Sequence, residues 1–333
     1  MTILPKITIV TPSLNQGRFI RQCIASVLSQ QYENLEYFII DGQSTDDTLA
    51  VVKEYENSLD FWISEPDAGQ SDAINKGFKR ATGDLVAWLN ADDFYLPDAL
   101  KTVAQAYSQC PNAPFYFGDG LRVDEAGDFK ENFFPQGRVL FNREALLYGL
   151  NYILQPSTFI NRSCLEQAGY LDPELHYGMD SDLWMRLSSM GEPCPIAAAL
   201  AASREYASTK TASGMFERIE ELRKISKRHS GAEMTPGVLC YLFEALHRYS
   251  CAREDVFDRT YRQMVIEPAW VVTADLLAKY AAGHNGYPYP PGYKQPSRLM
   301  TSLCVDLRKA AQKAHFFLLK ELTRFFRRIE KRP

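Results

Sequence analysis

Residues 85–93 read Leu-Val-Ala-Trp-Leu-Asn-Ala-Asp-Asp, five apolar residues running without a break into an acidic turn. A short continuous apolar run closed by turn formers is the signature of a strand buried on both faces. Related runs lie upstream. Residues 6–11 (KITIVT) are rich in β-branched side chains and end in the turn cluster Pro12, Ser13 and Asn15, and residues 35–40 (LEYFII) stop at Asp41-Gly42. Residues 61–64 make a shorter third run. Between these runs the period changes. Phe19, Cys23, Val27 and Leu28 space residues 17–30 as a helix, Ser44 to Asp47 offer N-caps for a helix over 48–55, and residues 71–81 read as a helix closed by Gly83. Strand, turn and helix in alternation predict an α/β fold with a mostly parallel sheet and helices on both faces. In such sheets ligands bind outside the carboxyl ends of the strands, where the polar clusters after the first, second and fourth runs fall.

Downstream the pattern is less regular. Residues 116–119 look like a strand end, 142–149 a helical turn or two, 155–161 a strand, and 180–190 a helix carrying Leu183, Trp184 and Leu187 on one side. Beyond Thr211 the chain turns helical, over 215–229, 236–252, 255–264 and 268–282. Residues 285–298 (NGYPYPPGYKQPSR) are too rich in Pro and Gly for a helix and read as a linker. The last helix, within 299–333, sets Leu299, Leu303, Leu307, Leu318, Leu322 and Phe325 in an apolar stripe flanked by basic residues. That pattern suits an anionic membrane surface, packing on the chain's own domain, or contact with a second copy. The expected organisation is therefore an α/β domain over 1–212, a helical extension over 213–284, the linker, and the basic helix over 299–333.

Composition excludes several classes. The chain has 333 residues, 46% hydrophobic and 23% charged, which fits a globular protein rather than a disordered one. Its formal net charge of −4 argues against a general nucleic-acid binder. No run of about 18 apolar residues exists to span a membrane. The start, MTILPKITIVTPS, has no charged head followed by an apolar stretch, so a cytoplasmic chain is expected, peripheral on the inner membrane face if the last helix binds lipid. Seven scattered cysteines without a CxxC pair fit reduced thiols rather than a disulfide framework or a zinc site. No GxxxxGKS loop is present, which removes the common ATPase reading.

The sharpest chemical signal is Asp92-Asp93. Adjacent carboxylates repel unless a cation sits between them, and Mg²⁺ or Mn²⁺ needs one or two carboxylates plus phosphate oxygens. The alternative is a solvated turn leading into the next helix. Taken together, TPSLNQGRFIRQCIASVLSQ, IIDGQSTDDT, SEPDAGQSDAINKG, ATGDLVAWLNADD, QPSTF and MDSDLWMRL resemble, in order and spacing, the family 2 glycosyltransferases of GT-A (Rossmann-like) fold. The similarity runs over about 6–211, two thirds of the chain.

The resemblance implies roles by position. Thr11, Pro12, Ser13, Asn15, Asp41 and Ser44 would hold the base and ribose of a nucleotide sugar, and Asp67, Asn75 and Lys76 would line the same pocket. Asn90-Ala91-Asp92-Asp93 matches the DxD-type motif with Asn90 in place of its first Asp, making Asp92 the ligand of Mn²⁺ or Mg²⁺ and Asp93 a neighbouring donor-side residue. Alignment on Leu183-Trp184 makes Asp180 the general base, with Asp182 as the fallback; both could instead serve the dipole of a helix N-terminus. Arg204 could bridge carboxylates, meet the diphosphate, or form a surface ion pair. Tyr206 stands where the family often has a His that completes the metal site. Trp88 and Trp184 read as core or pocket walls, or Trp184 as a platform for an acceptor ring; His176 lies near Asp180.

The activity so implied is inverting, metal-dependent transfer of a sugar from a nucleotide diphosphate sugar to a glycan or lipid-linked glycan in surface polysaccharide synthesis. The expected donor nucleotide is uridine. The rivals are a catalytically silent sugar-binding or scaffolding protein and a sugar nucleotidyltransferase.

Overall fold

The computed structural model describes residues 4–252 apart from 135–138, 150, 208 and 211–213. The helices expected over 255–264 and 268–282, the linker and the basic helix lie outside the described residues. Four strands, β1 (Ile7–Ser13), β2 (Leu35–Asp41), β3 (Phe61–Ser64) and β4 (Leu85–Trp88), form a parallel sheet ordered β3-β2-β1-β4. Their side chains alternate between two cores, as a two-residue period requires. Ile7, Ile9, Tyr37, Ile39, Leu85 and Ala87 face α1 (Ile20–Leu28), α2 (Thr48–Glu54) and α4 (Ala99–Gln109). Val10, Phe38, Ile40, Val86 and Trp88 face α3 (Gln70–Arg80) and the helices that follow later in the chain. Helix α3 lies flush on β1 because Gly77 has no Cβ; one would come within 2.4 Å of Val10 Cγ1.

The second half of the sheet changes direction. Strand β8 (Thr158–Asn161) runs antiparallel between β4 and β6 (Phe115–Val123), and β6 pairs in parallel with β9 (Cys194–Arg204). Strand β5 (Phe94–Tyr95) pairs antiparallel with β9, and β7 (Phe129–Asn132) forms a hairpin with β6. Nothing in CPIAAALAASR marks β9 as a strand in the sequence, because its run of alanines lacks the β-branched residues that signal one. The expected strand over 155–161 becomes a single 3₁₀ turn followed by β8.

Helices α5 (Arg143–Leu147), α6 (Arg162–Ala168) and α7 (Met179–Leu187) cover the face that carries Trp88. Helix α8 (Met215–Ser230) and helix α9 (Pro236–Ala252) match the helices expected at 215–229 and 236–252. Both contribute to the core beneath α7, through Ile219, Leu222, Ile225, Val238 and Ala245. Trp88 and Trp184 are fully buried and stack on each other at 5.6 Å, so the platform reading of Trp184 gives way to a core role that locks α7 onto the end of β4. No helix among the described residues is long and apolar enough to cross a membrane.

Candidate active site

The carboxyl ends of β1, β2 and β3 converge, as parallel register demands. Asp41 ends β2 fully buried and accepts hydrogen bonds from Ser44 N (2.9 Å), Ser44 Oγ and Ser64 Oγ (2.7 Å). Asn15 takes a left-handed φ of 53°, which Asn tolerates, and its amide N–H donates to Ser44 Oγ at 2.7 Å while its Oδ1 accepts from Thr45 N at 2.9 Å. Thr11 Oγ1 lies 3.1 Å from Tyr37 Oη. Pro12 pairs with Ile40 inside β1. Ser13 Oγ is buried and has no hydrogen-bond partner among the described residues. The loops after β1 and β2 are thus tied to each other through Ser44, with an unsatisfied hydroxyl at the strand end.

The segment before α3 does something different. Asp67 Oδ1 accepts from Gly69 N at 2.8 Å, and Lys76 Nζ reaches Glu65 at 2.8 Å and the Pro66 carbonyl at 2.9 Å. The Glu65 contact raises the Lys76 pKa. Asn75 exchanges two hydrogen bonds with the backbone of Leu171, donating at 2.8 Å and accepting at 3.1 Å. Its amide therefore ties α3 to the loop before α7.

After β4 the acidic turn is held by the end of β9. Asp93 is buried; its Oδ1 accepts from Arg204 N at 2.9 Å and its Oδ2 from Asn90 Nδ2 at 3.3 Å. The Arg204 guanidinium donates to the carbonyls of Asp92 (2.9 Å) and Glu125 (2.8 Å) and to Gln22 Oε1 (2.7 Å), and it lies over Phe19. Asp92 is half-buried, and the Tyr206 hydroxyl donates to its Oδ2 at 2.9 Å. Tyr206 therefore caps Asp92. Burial pushes both carboxyls up, and the charge of Asp92 pushes Asp93 further. Among the described residues no group of three or more His, Cys, Asp and Glu gathers to hold a metal. The donor set that is present, two adjacent carboxyls whose ionisation burial opposes, would suit a hard dication that draws its remaining oxygens from a bound diphosphate.

Across from this turn, α7 begins with Asp180 and Asp182, which differ sharply in environment. Asp180 is half-buried, accepts from Asn151 Nδ2 at 2.9 Å and Ser181 N at 2.7 Å, and is pushed up by burial. Asp182 is fully buried among Arg186 (2.8 Å), Arg228 (3.0 Å) and His229 (2.8 Å). Burial opposes its ionisation, but the His229 and Arg186 contacts prevail and hold its carboxyl below the usual range.

A polar chain joins the two sides. Lys210 Nζ donates to Gln70 Oε1 at 2.9 Å, Gln70 Nε2 donates to Asn90 Oδ1 at 2.8 Å, and Asn90 Nδ2 reaches Gln155 Oε1 at 3.1 Å. Gln155 in turn donates to the Trp88 carbonyl at 2.8 Å. Burial pushes the Lys210 pKa down to about 8, against the charges of Glu221 and Asp180. Gln70, Gln155 and Asn151 were not singled out in the sequence, although the first two lie inside the DAGQSD and QPSTF strings. His176 is exposed beside α7.

Residues 8–152 match the profile of glycosyl transferase family 2. A glycosyltransferase of Mycobacterium tuberculosis is 29% identical over 198 residues, 59% of this chain and 74% of the relative. The O-antigen biosynthesis protein RfbC of Myxococcus xanthus is 30% identical over 194 residues, 55% of this chain but 14% of that protein. Among solved structures, S. aureus TarS 1–349 in complex with UDP-GlcNAc superimposes with a TM-score of 0.56 at 17% identity, covering 85% of this chain and 82% of that one. Mannosyltransferase PcManGT from Pyrobaculum calidifontis, in complex with GDP-Man and Mn²⁺, gives 0.52 at 18% identity over 93% and 81% of the two chains. The two structural likenesses concern the fold. With the profile match over residues 8–152 and the relatives named as glycosyltransferases beside them, they show a segment similar to glycosyl transferase family 2 set on a GT-A fold.

Proposed function

We propose that the chain is an inverting, metal-dependent transferase that moves a sugar from a nucleoside diphosphate sugar onto a glycan hydroxyl, free or lipid-linked, in the assembly of a surface polysaccharide. The observation that carries this reading is the chain Asn90–Gln70–Lys210, because it links the acidic turn after β4 to a lysine that feels the charge of Asp180. The named ligands of similar structures, UDP-GlcNAc, GDP-Man and Mn²⁺, support a nucleotide-sugar donor and a dication, and the name of the Myxococcus relative supports the polysaccharide setting. The polar loops after β1 and β2, with Thr11, Pro12, Ser13, Asn15, Asp41 and Ser44, then serve the nucleoside, and Asp67, Asn75 and Lys76 shape the pocket behind it. A uridine nucleotide is the donor we expect.

In the reaction the acceptor O–H gives its proton to Asp180 as its oxygen bonds to the anomeric carbon. The bond from that carbon to the diphosphate oxygen breaks, and its electron pair leaves with the nucleoside diphosphate. Attack from the side opposite the leaving group inverts the anomeric configuration. Asp180 suits the base role because burial raises its pKa towards the working pH, while Asn151 and the Ser181 N–H fix its orientation. Asp182 is better read as structural, since its carboxylate is enclosed by three basic side chains. Asp92, with Asp93 behind it, would hold Mn²⁺ or Mg²⁺, which when bound supplies positive charge to the departing diphosphate. Arg204 acts by fixing that turn, its guanidinium being engaged with Asp92, Glu125 and Gln22. Lys210 adds positive charge between the two sides. Membrane attachment on the inner face is assigned to the basic helix within 299–333, which lies outside the described residues.

The test is turnover of a panel containing UDP-GlcNAc, UDP-glucose and GDP-mannose, with and without Mn²⁺. Asp92→Ala should cost about a thousandfold in the release of nucleoside diphosphate, the scale of a lost transition-state electrostatic contact. Asp180→Asn should lower kcat about a thousandfold with donor binding intact, as expected for a lost general base. Undiminished turnover in both variants would overturn the assignment.

A further inference from the structure

Helix α7, which carries Asp180, has no side-chain cap of its own; Gly178 occupies the N-cap position. The approach to the helix is held from outside. Glu221, on α8, accepts from His176 N at 2.7 Å through Oε2 and from Tyr177 N at 2.6 Å and Gly178 N at 2.5 Å through Oε1. Gly178 N is the first of the helix's unpaired donors and the other two belong to the turn that leads into it, and a carboxylate at this end also favours the helix dipole. Two turns further along α8, Arg228 and His229 hold the buried Asp182. Between them, Ile225 sits against Gly178, where a Cβ would come within 2.5 Å of Ile225 Cδ1. Glu221, Ile225 and the Arg228–His229 pair are spaced to share one face of α8, and that face meets α7 on both sides of Asp180.

We propose that Glu221 is the positioning residue of the base-bearing helix, so that α8, which lies beyond the profile-matched 8–152, belongs to the catalytic machinery. The inference rests on the reading of Asp180 as the base. Physically, Glu221 fixes the entry into α7 at residues 176–178 and Asp182 fixes its first turn, so the Asp180 carboxyl has its height and rotation set from both sides. The charge of Glu221 also lies close enough to Lys210 to bear on the electrostatics around Asp180, together with Arg218.

The variant that tests this is Glu221→Gln, which keeps the length and one accepting oxygen but sets an NH₂ donor against the backbone donors met by the other and removes the charge. Amide hydrogen exchange needs no substrate. At residues 176–178 it should quicken about tenfold, while β1 and β4 amides stay protected. In turnover of the panel donor, kcat normalised to titrated nucleoside diphosphate sites should fall about tenfold with donor KM within about twofold, the pattern of a displaced transition-state group. The acid limb of the kcat profile should move to lower pH, because the Lys210 charge that acts on Asp180 is no longer offset by Glu221. A general loss of folded protein would not move that limb. Glu221→Asp, which keeps the charge on a shorter stem, should fall between the wild type and Gln and serves if Gln fails to fold. Unchanged exchange at 176–178, or an unchanged kcat and acid limb, overturns the positioning role. Full turnover by Asp180→Asn would instead remove the base reading, with the exchange result still reporting the anchor separately.

Discussion

Two regions of the molecule, the β1–β4 sheet and α7, are held by different kinds of contact. In the sheet, the buried carboxylates near the two ends of β2 are satisfied by neighbouring strands and loops: Asp41 by Ser44 and Ser64, and Glu36 by Lys6, Thr8 and Thr82. Helix α7 instead depends on a helix some forty residues later, through Glu221 at its start and Arg228 and His229 on Asp182. The first arrangement forms as soon as the strands pair. The second exists only after α8 has docked, and Asp180, the base we propose, sits on it.

Asp180 and Asp182 give the largest test of this difference, because the same helix carries both. Asp182→Ala leaves Arg186, Arg228 and His229 around an uncompensated site and should cost about 3 kcal/mol of stability, the scale of breaking a buried ion pair. Asp180→Asn should have the opposite sign, holding or slightly raising the melting temperature while abolishing transfer, since burial disfavours the charge that the reaction needs. Chemical denaturation of the two variants reads both outcomes. Equal losses in the two would mean that α7 is held as a unit by some other contact.

The same difference decides what can be read from sequence. The β1–β4 half is legible because each strand and helix carries its own period, and because the polar turns fall at one edge by topology alone. Residues 194–204 are not legible: β9 is alanine-rich, and it is a strand because Phe115–Val123 pairs with it, a relation no local window contains. The site divides in the same way. Asp92 and Asp180 stand out as acidic residues at element ends, whereas the capping of Asp92 by Tyr206 and the anchoring of the entry into α7 by Glu221 are partnerships across 114 and 43 residues. Arg204 stands out in the sequence, but its engagement with two loops and with α1 emerges only once β9 has brought it to the turn.

Acid titration probes the sheet region at smaller scale. Burial alone would raise the Glu36 pKa, but hydrogen bonds from Lys6, Thr8 and Thr82 lower it to about 2. The folded pKa lies below the unfolded one, so Glu36 contributes stability that is fully present above about pH 4.3 and lost as pH falls towards 2. Glu36→Gln should cost about 2 kcal/mol at neutral pH, within the range for hydrogen bonds to a charged group. Its unfolding free energy should then converge on that of the wild type as pH falls through this window. If the gap stays constant down to pH 2, the charge of Glu36 is not what the variant removes.

The smallest effect belongs to Tyr206, where the two sides of the molecule meet through β9. Tyr206→Phe keeps the ring that packs 5.3 Å from Phe19 but removes the hydroxyl that donates to Asp92. One such hydrogen bond is worth about 1 kcal/mol, a shift of about 2–4 °C for a domain of this size. The consequence for a dication should run the other way. In the wild type the phenol occupies an oxygen of Asp92, and without it that oxygen is open to Mn²⁺. Titration of Mn²⁺ by calorimetry in the presence of UDP should therefore show a few-fold tighter binding in a slightly less stable protein. Weaker Mn²⁺ binding together with the lower melting temperature would mean that the phenol orients Asp92 for the ion rather than standing in its place. In that case the turn after β4 is prearranged by the chain itself, as Glu36 and Asp41 are, and does not wait for a ligand to complete it.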